Sequence, residues 1–98
     1  MSIDIRDEPE SSRYAAYVDG ELAGFSEYTL DPERGRIVIA HTEVDDAFEG
    51  RGVGSALVRG ELDDARRRRL RVVPQCPFVK AYIERHPDYQ DLLRTPPD

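Results

Sequence analysis

Three glycines at alternate positions mark the run Phe48-Glu49-Gly50-Arg51-Gly52-Val53-Gly54-Ser55. Before it, Arg36-Ile37-Val38-Ile39-Ala40 has the continuous apolar character of a buried strand. After it, Ala56, Leu57, Val58, Leu62 and Ala65 recur at helical spacing. The glycines therefore fall at a strand-to-helix turn, where backbone N–H groups can point inward with no Cβ in the way. A helix that begins there adds free N–H groups and a partial positive charge. That combination suits a diphosphate or another small anion. No Gly-Lys-Ser/Thr closes the run, and its spacing is G-x-G-x-G, so it is neither a Walker loop nor a dinucleotide fingerprint. A tight turn with no ligand is the competing account.

Cys76 is the second residue type with chemistry. It stands just before Pro77, at a predicted helix start, where the helix N-terminus favours a thiolate. The bland alternative is a small buried apolar residue. His41 and Glu43 lie two apart on a predicted strand and share one of its faces. Either can deprotonate an attacking amine, directly or through water. A histidine titrates near neutral pH unaided, whereas a glutamate needs desolvation to reach it. The structural alternative makes His41 a hydrogen-bonded residue and Glu43 a strand-end carboxylate. His86, before Pro87, suits a helix C-terminal cap. Two distant histidines and one cysteine give no metal-ligand spacing.

These residues need a scaffold that places them. Ile3 and Ile5 alternate with polar residues as in a short edge strand. A second strand over 12–18 and a third over 21–30 flank Asp19-Gly20, a hairpin turn signal. Asp31-Pro32-Glu33-Arg34-Gly35 is a longer turn, and a fourth strand follows over 36–44. That strand is apolar on both faces at first, which predicts a central position covered on both sides. A helix is expected over 52–69, a buried strand over 70–73, and a second helix from Pro77 to about Arg85. Residues 89–93 can add a last helical turn, and 95–98 form a loose tail.

Composition excludes several classes. With 98 residues the expectation is one domain over 1–94 with one modest core. A net charge of −6 argues against a general nucleic-acid binder. The run Arg66-Arg67-Arg68-Arg69 ends the first helix, about 20–25 Å from the glycines at 1.5 Å per residue. It complements the helix C-terminus, with Glu61, Asp63 and Asp64 within a turn. No apolar run reaches the length of a membrane span, the N-terminus lacks a leader pattern, and one cysteine allows no internal disulfide. A cytoplasmic protein, monomeric or weakly dimeric, is expected.

A meander of strands followed by a Gly-rich loop, helix, strand and helix resembles the GCN5-related N-acetyltransferase (GNAT) superfamily. Val44-x-x-x-x-Glu49-Gly50-Arg51-Gly52-Val53-Gly54 looks like its pyrophosphate loop, with Glu49 in place of the usual Gln or Arg. His41-Thr42-Glu43-Val44, Pro74-Gln75-Cys76-Pro77-Phe78-Val79 and Tyr82-Ile83-Glu84-Arg85-His86-Pro87-Asp88-Tyr89 are similar to the small single-domain YjdJ-type subfamily. The resemblance implies a compact α+β fold of order β-β-β-β-α-β-α and acetyl-CoA or a related acyl-CoA as cosubstrate. It places Val44, Gly50, Arg51, Gly52, Val53, Gly54, Ser55 and Lys80 on the CoA, with Lys80 toward the adenosine end. It puts Cys76 beside the thioester, as an acyl acceptor or a neutral contact, with His41 and Glu43 as candidate bases. The superfamily's last-helix tyrosine falls at Ile83, one residue from Tyr82. The implied reaction is acyl transfer to an amine of unknown identity. A non-turning CoA sensor and an interaction protein that keeps only the fold are the alternatives.

Overall fold

The computed structural model describes residues 2–94. Five strands form one sheet in sequence order: β1 (Ile3–Glu8), β2 (Arg13–Val18), β3 (Glu21–Asp31), β4 (Arg36–Val44) and β5 (Arg71–Pro74). The first four pair antiparallel, and β5 joins β4 in parallel. Between β4 and β5 the chain makes α1 (Val53–Arg67), and after β5 it makes α2 (Pro77–Arg85). A 3-10 segment, Pro87–Leu93, follows. The α+β order is the expected one. Residues 95–98, predicted as a tail, lie outside the described residues.

Local chemistry explains the joints. Asp19 and Gly20 both take positive φ, the conformation that lets a two-residue turn match the strand twist. Asp31 caps the Pro32–Arg34 turn by accepting from the Arg34 amide, and Gly35 closes it in the left-handed region. Pro77 opens α2, where its missing N–H costs nothing.

Helix α1 lies across one face of the sheet. Val53, Leu57, Val58, Leu62 and Ala65 form its buried stripe against Tyr14, Ala16, Ile37, Ile39 and Val72. Each large aliphatic side chain buried this way contributes about 1.5–3 kcal/mol. Helix α2 adds Val79, Tyr82 and Ile83 to the same core. The expectation that β4 is covered on both sides is not met: Ile37 and Ile39 are fully buried, but Val38 is half-buried and Ala40 exposed. Both helices serve one continuous core, and the other face carries charges and rings instead. There Arg6 lies 4.6 Å from the Tyr17 ring and Arg13 lies 5.7 Å from Phe25.

Two bulges shape the end of the sheet nearest the glycine loop. Ala16 pairs with Gly24 and Tyr17 with Leu22, so Ala23 is the extra residue in β3. Ile39 pairs with Tyr28 and His41 with Glu27, so Ala40 is the extra residue in β4. A bulge shifts the alternation by one. Beyond Ala40, Thr42 faces the α1 side, while His41 and Glu43 turn to the open face.

Gly24 sits where the two bulged strands press together. A Cβ there would lie 2.7 Å from the Glu43 carbonyl oxygen, a backbone atom that cannot step aside. Gly24→Ala is expected to cost about 1–3 kcal/mol, read as a lower urea midpoint. Gly60→Ala meets only the Ile5 side chain, at 3.1 Å, and should cost less.

Candidate functional site

The glycine run occupies the strand-to-helix turn that its pattern predicts. Gly50 and Gly52 both hold φ of +78°, and open space lies where a Cβ on either would project. Gly52 is the N-cap of α1 with no side-chain cap, and the Ala56 amide is the one that bonds back to the Gly52 carbonyl. The amides of Val53, Gly54 and Ser55 precede the first helical bond and are free for an anion. They open on a groove of about 250 Å³ lined by Val44, Phe48, Glu49, Gly50, Gly52, Val53, Gly54, Ser55 and Phe78. Among the described residues no cationic side chain lines it. Helix dipole and backbone donors are its positive features, and Glu49 opposes them.

From this groove the path runs along β4. Parallel pairing with β5 covers only Arg36 to Ile39. The Ile39 carbonyl then accepts from both the Gln75 and Cys76 amides, each at 3.0 Å, and the chain departs into α2. Beyond that point the outer edge of β4 has no strand beside it among the described residues. The Asp45 amide donates to Ala23 of β3. By strand alternation, the amides of Val44 and Thr42 point to the free edge. Val44, expected as a backbone donor, thus has its amide on that edge.

Cys76 sits where β4 and β5 part. It is 4% exposed, and its Sγ lies 3.5 Å from Thr42 Oγ1. Burial pushes its thiol pKa up, but the Thr42 hydroxyl and the amides of Val79, Phe78 and Thr42 outweigh this and leave it below the ordinary thiol value. Cys76 is thus buried, as the structural account expects, with Thr42 and the first amides of α2 beside its sulfur. Phe78 and Val44 line the groove, and each is two residues from a member of the Cys76–Thr42 pair. Groove and thiol are therefore close along both β4 and α2.

The other predicted residues fall into place around it or away from it. His41 and Glu43 pair with each other, Nε2 to Oε1 at 3.2 Å, on the open face and largely exposed. Glu43 and Val44 line a second groove of about 420 Å³ with Leu22, Ala23, Gly24, Phe25, Asp45 and Asp46. The two grooves share Val44. Arg51 turns back over the Phe48 ring at 5.7 Å rather than lining the anion groove. Lys80 is exposed and lines a separate groove between α2 and the 3-10 segment, with Glu84, Gln90 and Arg94. Tyr82 stacks on His86 at 3.9 Å, and His86 caps α2 with its ring nitrogen 2.8 Å from the Tyr82 carbonyl. Among the described residues no cluster of His, Cys, Asp and Glu fits a metal ion.

Comparison with known proteins bears on what this path carries. The family model for GCN5-related N-acetyl-transferase matches residues 13–92. The chain belongs to the GNAT superfamily. A GCN5-like protein from Staphylococcus aureus is 26% identical, with a TM-score of 0.69 over 91% of this chain and 85% of that one. A ribosomal-protein-alanine N-acetyltransferase from Brucella melitensis is 25% identical, with a TM-score of 0.58 over 76% of this chain and 59% of that one. Protein NATD1 from Mus musculus is 36% identical over 63 residues, 63% of this chain and 57% of that protein. Protein NATD1 from Xenopus tropicalis is 34% identical over 59 residues, 60% of this chain and 54% of that protein. The chain thus matches little more than half the length of these curated relatives.

One residue of this GNAT domain escaped the sequence reading. Glu61 was placed among the surface acids that balance the arginine run, yet it is fully buried. Its place was legible, because it follows Leu57 by four and Val58 by three and so falls inside the apolar stripe of α1. Ser26 Oγ donates to its Oε1 at 2.9 Å, and Ser26 Oγ lies 3.1 Å from Thr42 Oγ1. Its Oε2 has no hydrogen-bond partner among the described residues. Leaving such an atom unpaired costs about 1–3 kcal/mol. The arginines it was assigned to find other partners: Arg66 pairs with Asp91, Arg67 with Asp64, and Arg68 with Asp7 and Asp64.

Burial pushes the Glu61 carboxyl up to about 8, Cys76 and Asp7 add to the rise, and the Ser26 hydrogen bond works against it. The folded protein therefore keeps a proton that the unfolded chain releases in the ordinary carboxylate range. Between those two values the folded state binds more protons, so its stability falls as pH rises. At about 1.4 kcal/mol per pKa unit the loss is at most a few kcal/mol. Thermal denaturation should show the melting temperature dropping between about pH 5 and 8, and Glu61→Gln should flatten that slope.

Proposed function

We propose that this chain binds an acyl-CoA, with acetyl-CoA the leading case, and transfers the acyl group to an amine. The carrying observation is the alignment of three features: the glycine groove with its free amides, the unpaired edge of β4, and Cys76 at the start of α2. The groove fits a diphosphate because Gly50 and Gly52 leave open the space that side chains would fill. The Val53, Gly54 and Ser55 amides would hold the diphosphate, and the Val44 amide the arm that follows it. Arg51 and Lys80 do not line this groove, and in this reading they would meet only the nucleotide end of the cosubstrate. The YjdJ-type subfamily is the finer assignment that we favour.

In this reading Cys76 accepts the acyl group first. Its thiolate attacks the thioester carbonyl, a carbon–sulfur bond to Cys76 forms, and CoA leaves as a thiolate that takes up a proton. The amides that favour the Cys76 thiolate also lie close to the developing oxyanion. The amine then attacks the Cys76 thioester, the amide bond forms, and the Cys76 thiolate is released. Glu43 or His41 would take the proton that the amine loses, directly or through water. The groove lined by Glu43, Asp45 and Asp46 favours a cationic amine as it approaches. Glu49 and the lack of a cation in the anion groove favour the second reading, a domain that binds acyl-CoA without turnover.

Ser55 gives a selective test. It is exposed in the first turn of α1 and lines the anion groove. Ser55→Asp places a negative charge where the helix dipole welcomes it, so the fold should be as stable or slightly more so. CoA affinity by calorimetry should nonetheless fall about tenfold, which is 1.4 kcal/mol of repulsion. Binding equal to the parent's would place the cosubstrate elsewhere. Cys76→Ser should lower acyl transfer to an added amine far more than it lowers CoA affinity. Full transfer by Cys76→Ser would favour direct attack in a ternary complex, with His41 or Glu43 as base. CoA binding with no transfer by the parent to any amine would select the sensor.

A further inference from the structure

We propose that the Phe78 side chain is the gate between the anion groove and Cys76, and so decides which thioesters reach the sulfur. The proposal rests on the reading that the cosubstrate runs from that groove to Cys76, and it deepens that reading by naming a specificity-determining residue. The class it admits is a thioester borne on a thin, unbranched arm.

Gly54 carries the first observation. Gly50 and Gly52 hold positive φ with open space beyond them, but Gly54 lies inside α1 and does not. A Cβ on Gly54 would instead stand 2.9 Å from Phe78 Cζ, the tip of the ring, and 3.4 Å from Val44 Cγ2. Three elements therefore meet at one point: β4 through Val44, α1 through Gly54 and α2 through Phe78. All three residues line the anion groove. Val44 and Phe78 are each two residues from the Thr42–Cys76 pair. An arm laid from the glycine amides to the sulfur crosses this meeting point, and the third glycine makes room there for the ring.

The second observation is the setting of the ring. Phe78 is 46% exposed, although Val79 beside it is fully buried. A lone exposed phenylalanine signifies little. This one closes on a helical glycine across the passage, and rotation about its own side-chain bonds lifts it off. Exposed side chains change rotamer within picoseconds to nanoseconds. The backbone need not follow. Pro77 fixes the first residue of α2, and the Phe78 amide stays beside the Cys76 sulfur. Because the swing is fast, the gate acts through the share of time it stands open.

Cys76 is the only cysteine, so its alkylation reads the gate directly. Iodoacetamide and its pyrenyl derivative share one reacting carbon and differ in bulk. Phe78→Ala should raise the rate with the pyrenyl reagent about tenfold, the change from a passage open about one-tenth of the time to one always open. The iodoacetamide rate should change much less. Altered thiol ionisation would move both rates alike, so their ratio isolates the gate. Gly54→Ala sets a methyl against the ring tip and should raise the same ratio by displacing the ring. Alanine is the better helix former, so lost stability does not account for a rise. The two effects should not add, since Phe78→Ala leaves no ring to displace. An unchanged or lower ratio in either variant overturns the assignment, as does a thiol that resists both reagents in the parent and in Phe78→Ala. Circular dichroism confirms each fold, and Gly54→Ala alone decides the matter if Phe78→Ala does not fold. The reactions use the protein without CoA. Failure of acyl-CoA binding therefore leaves these rates interpretable, and failure of the gate leaves acyl-CoA binding standing.

Discussion

The carbonyl of Ile39 is the point on which the site depends. It accepts two amides, from Gln75 and Cys76, where a regular parallel ladder supplies one. Pro74 ends β5 and Pro77 opens α2, so the chain cannot continue as a strand between them. Ala40, unpaired in β4, turns the opposite strand at the same level. The two strands separate because both are interrupted at one height. The separation frees the edge of β4, starts α2 with its amides on Cys76, and sets Thr42 rather than His41 against the core. Remove that double acceptance and the thiol, the free edge and the anion groove lose their common alignment.

The second constraint is electrostatic. The polar run from Cys76 to Glu61 passes through a core built by Ile39, Leu57, Val58 and Leu62. Burial presses both ends up; it prevails at the carboxyl, whereas at the thiol the Thr42 hydroxyl and nearby amides overcome it. The amides at the start of α2 make the difference between the two ends. Sulfur has them and the carboxylate does not.

Much of this was legible in the sequence, and the reasons differ by element. β4 and α2 begin and end where the pattern places them, because a turn glycine at Gly35 and prolines at Pro77 and Pro87 punctuate them. The glycine loop was legible because a run of alternating glycines before an apolar stripe has few structural uses. The first helix proved shorter than predicted at both ends, with Gly52 as its N-cap and Arg68 as its C-cap. Covering on both sides of β4 was not realised, because apolar content in four residues says nothing about how many layers a chain can supply. The bulge at Ala40 left no mark, since alanine fits a bulge and a strand equally well. Glu61 was hidden by its charge: an ionisable residue is assigned to solvent by default, although its helical position placed it inward.

The free edge of β4 has a consequence for solubility. An unpaired strand edge is a template on which a stray strand can grow. Adjacent strands need about 4.8 Å of lateral room along their whole length. Here the start of α2 crosses the opening, and Phe78 reaches the N-terminus of α1 closely enough that a Cβ on Gly54 would lie 2.9 Å from its ring. The opening between β4 and α2 is thus short and crossed. A notch so crossed would oppose addition of a polypeptide strand while leaving the edge amides of β4 open to a smaller ligand.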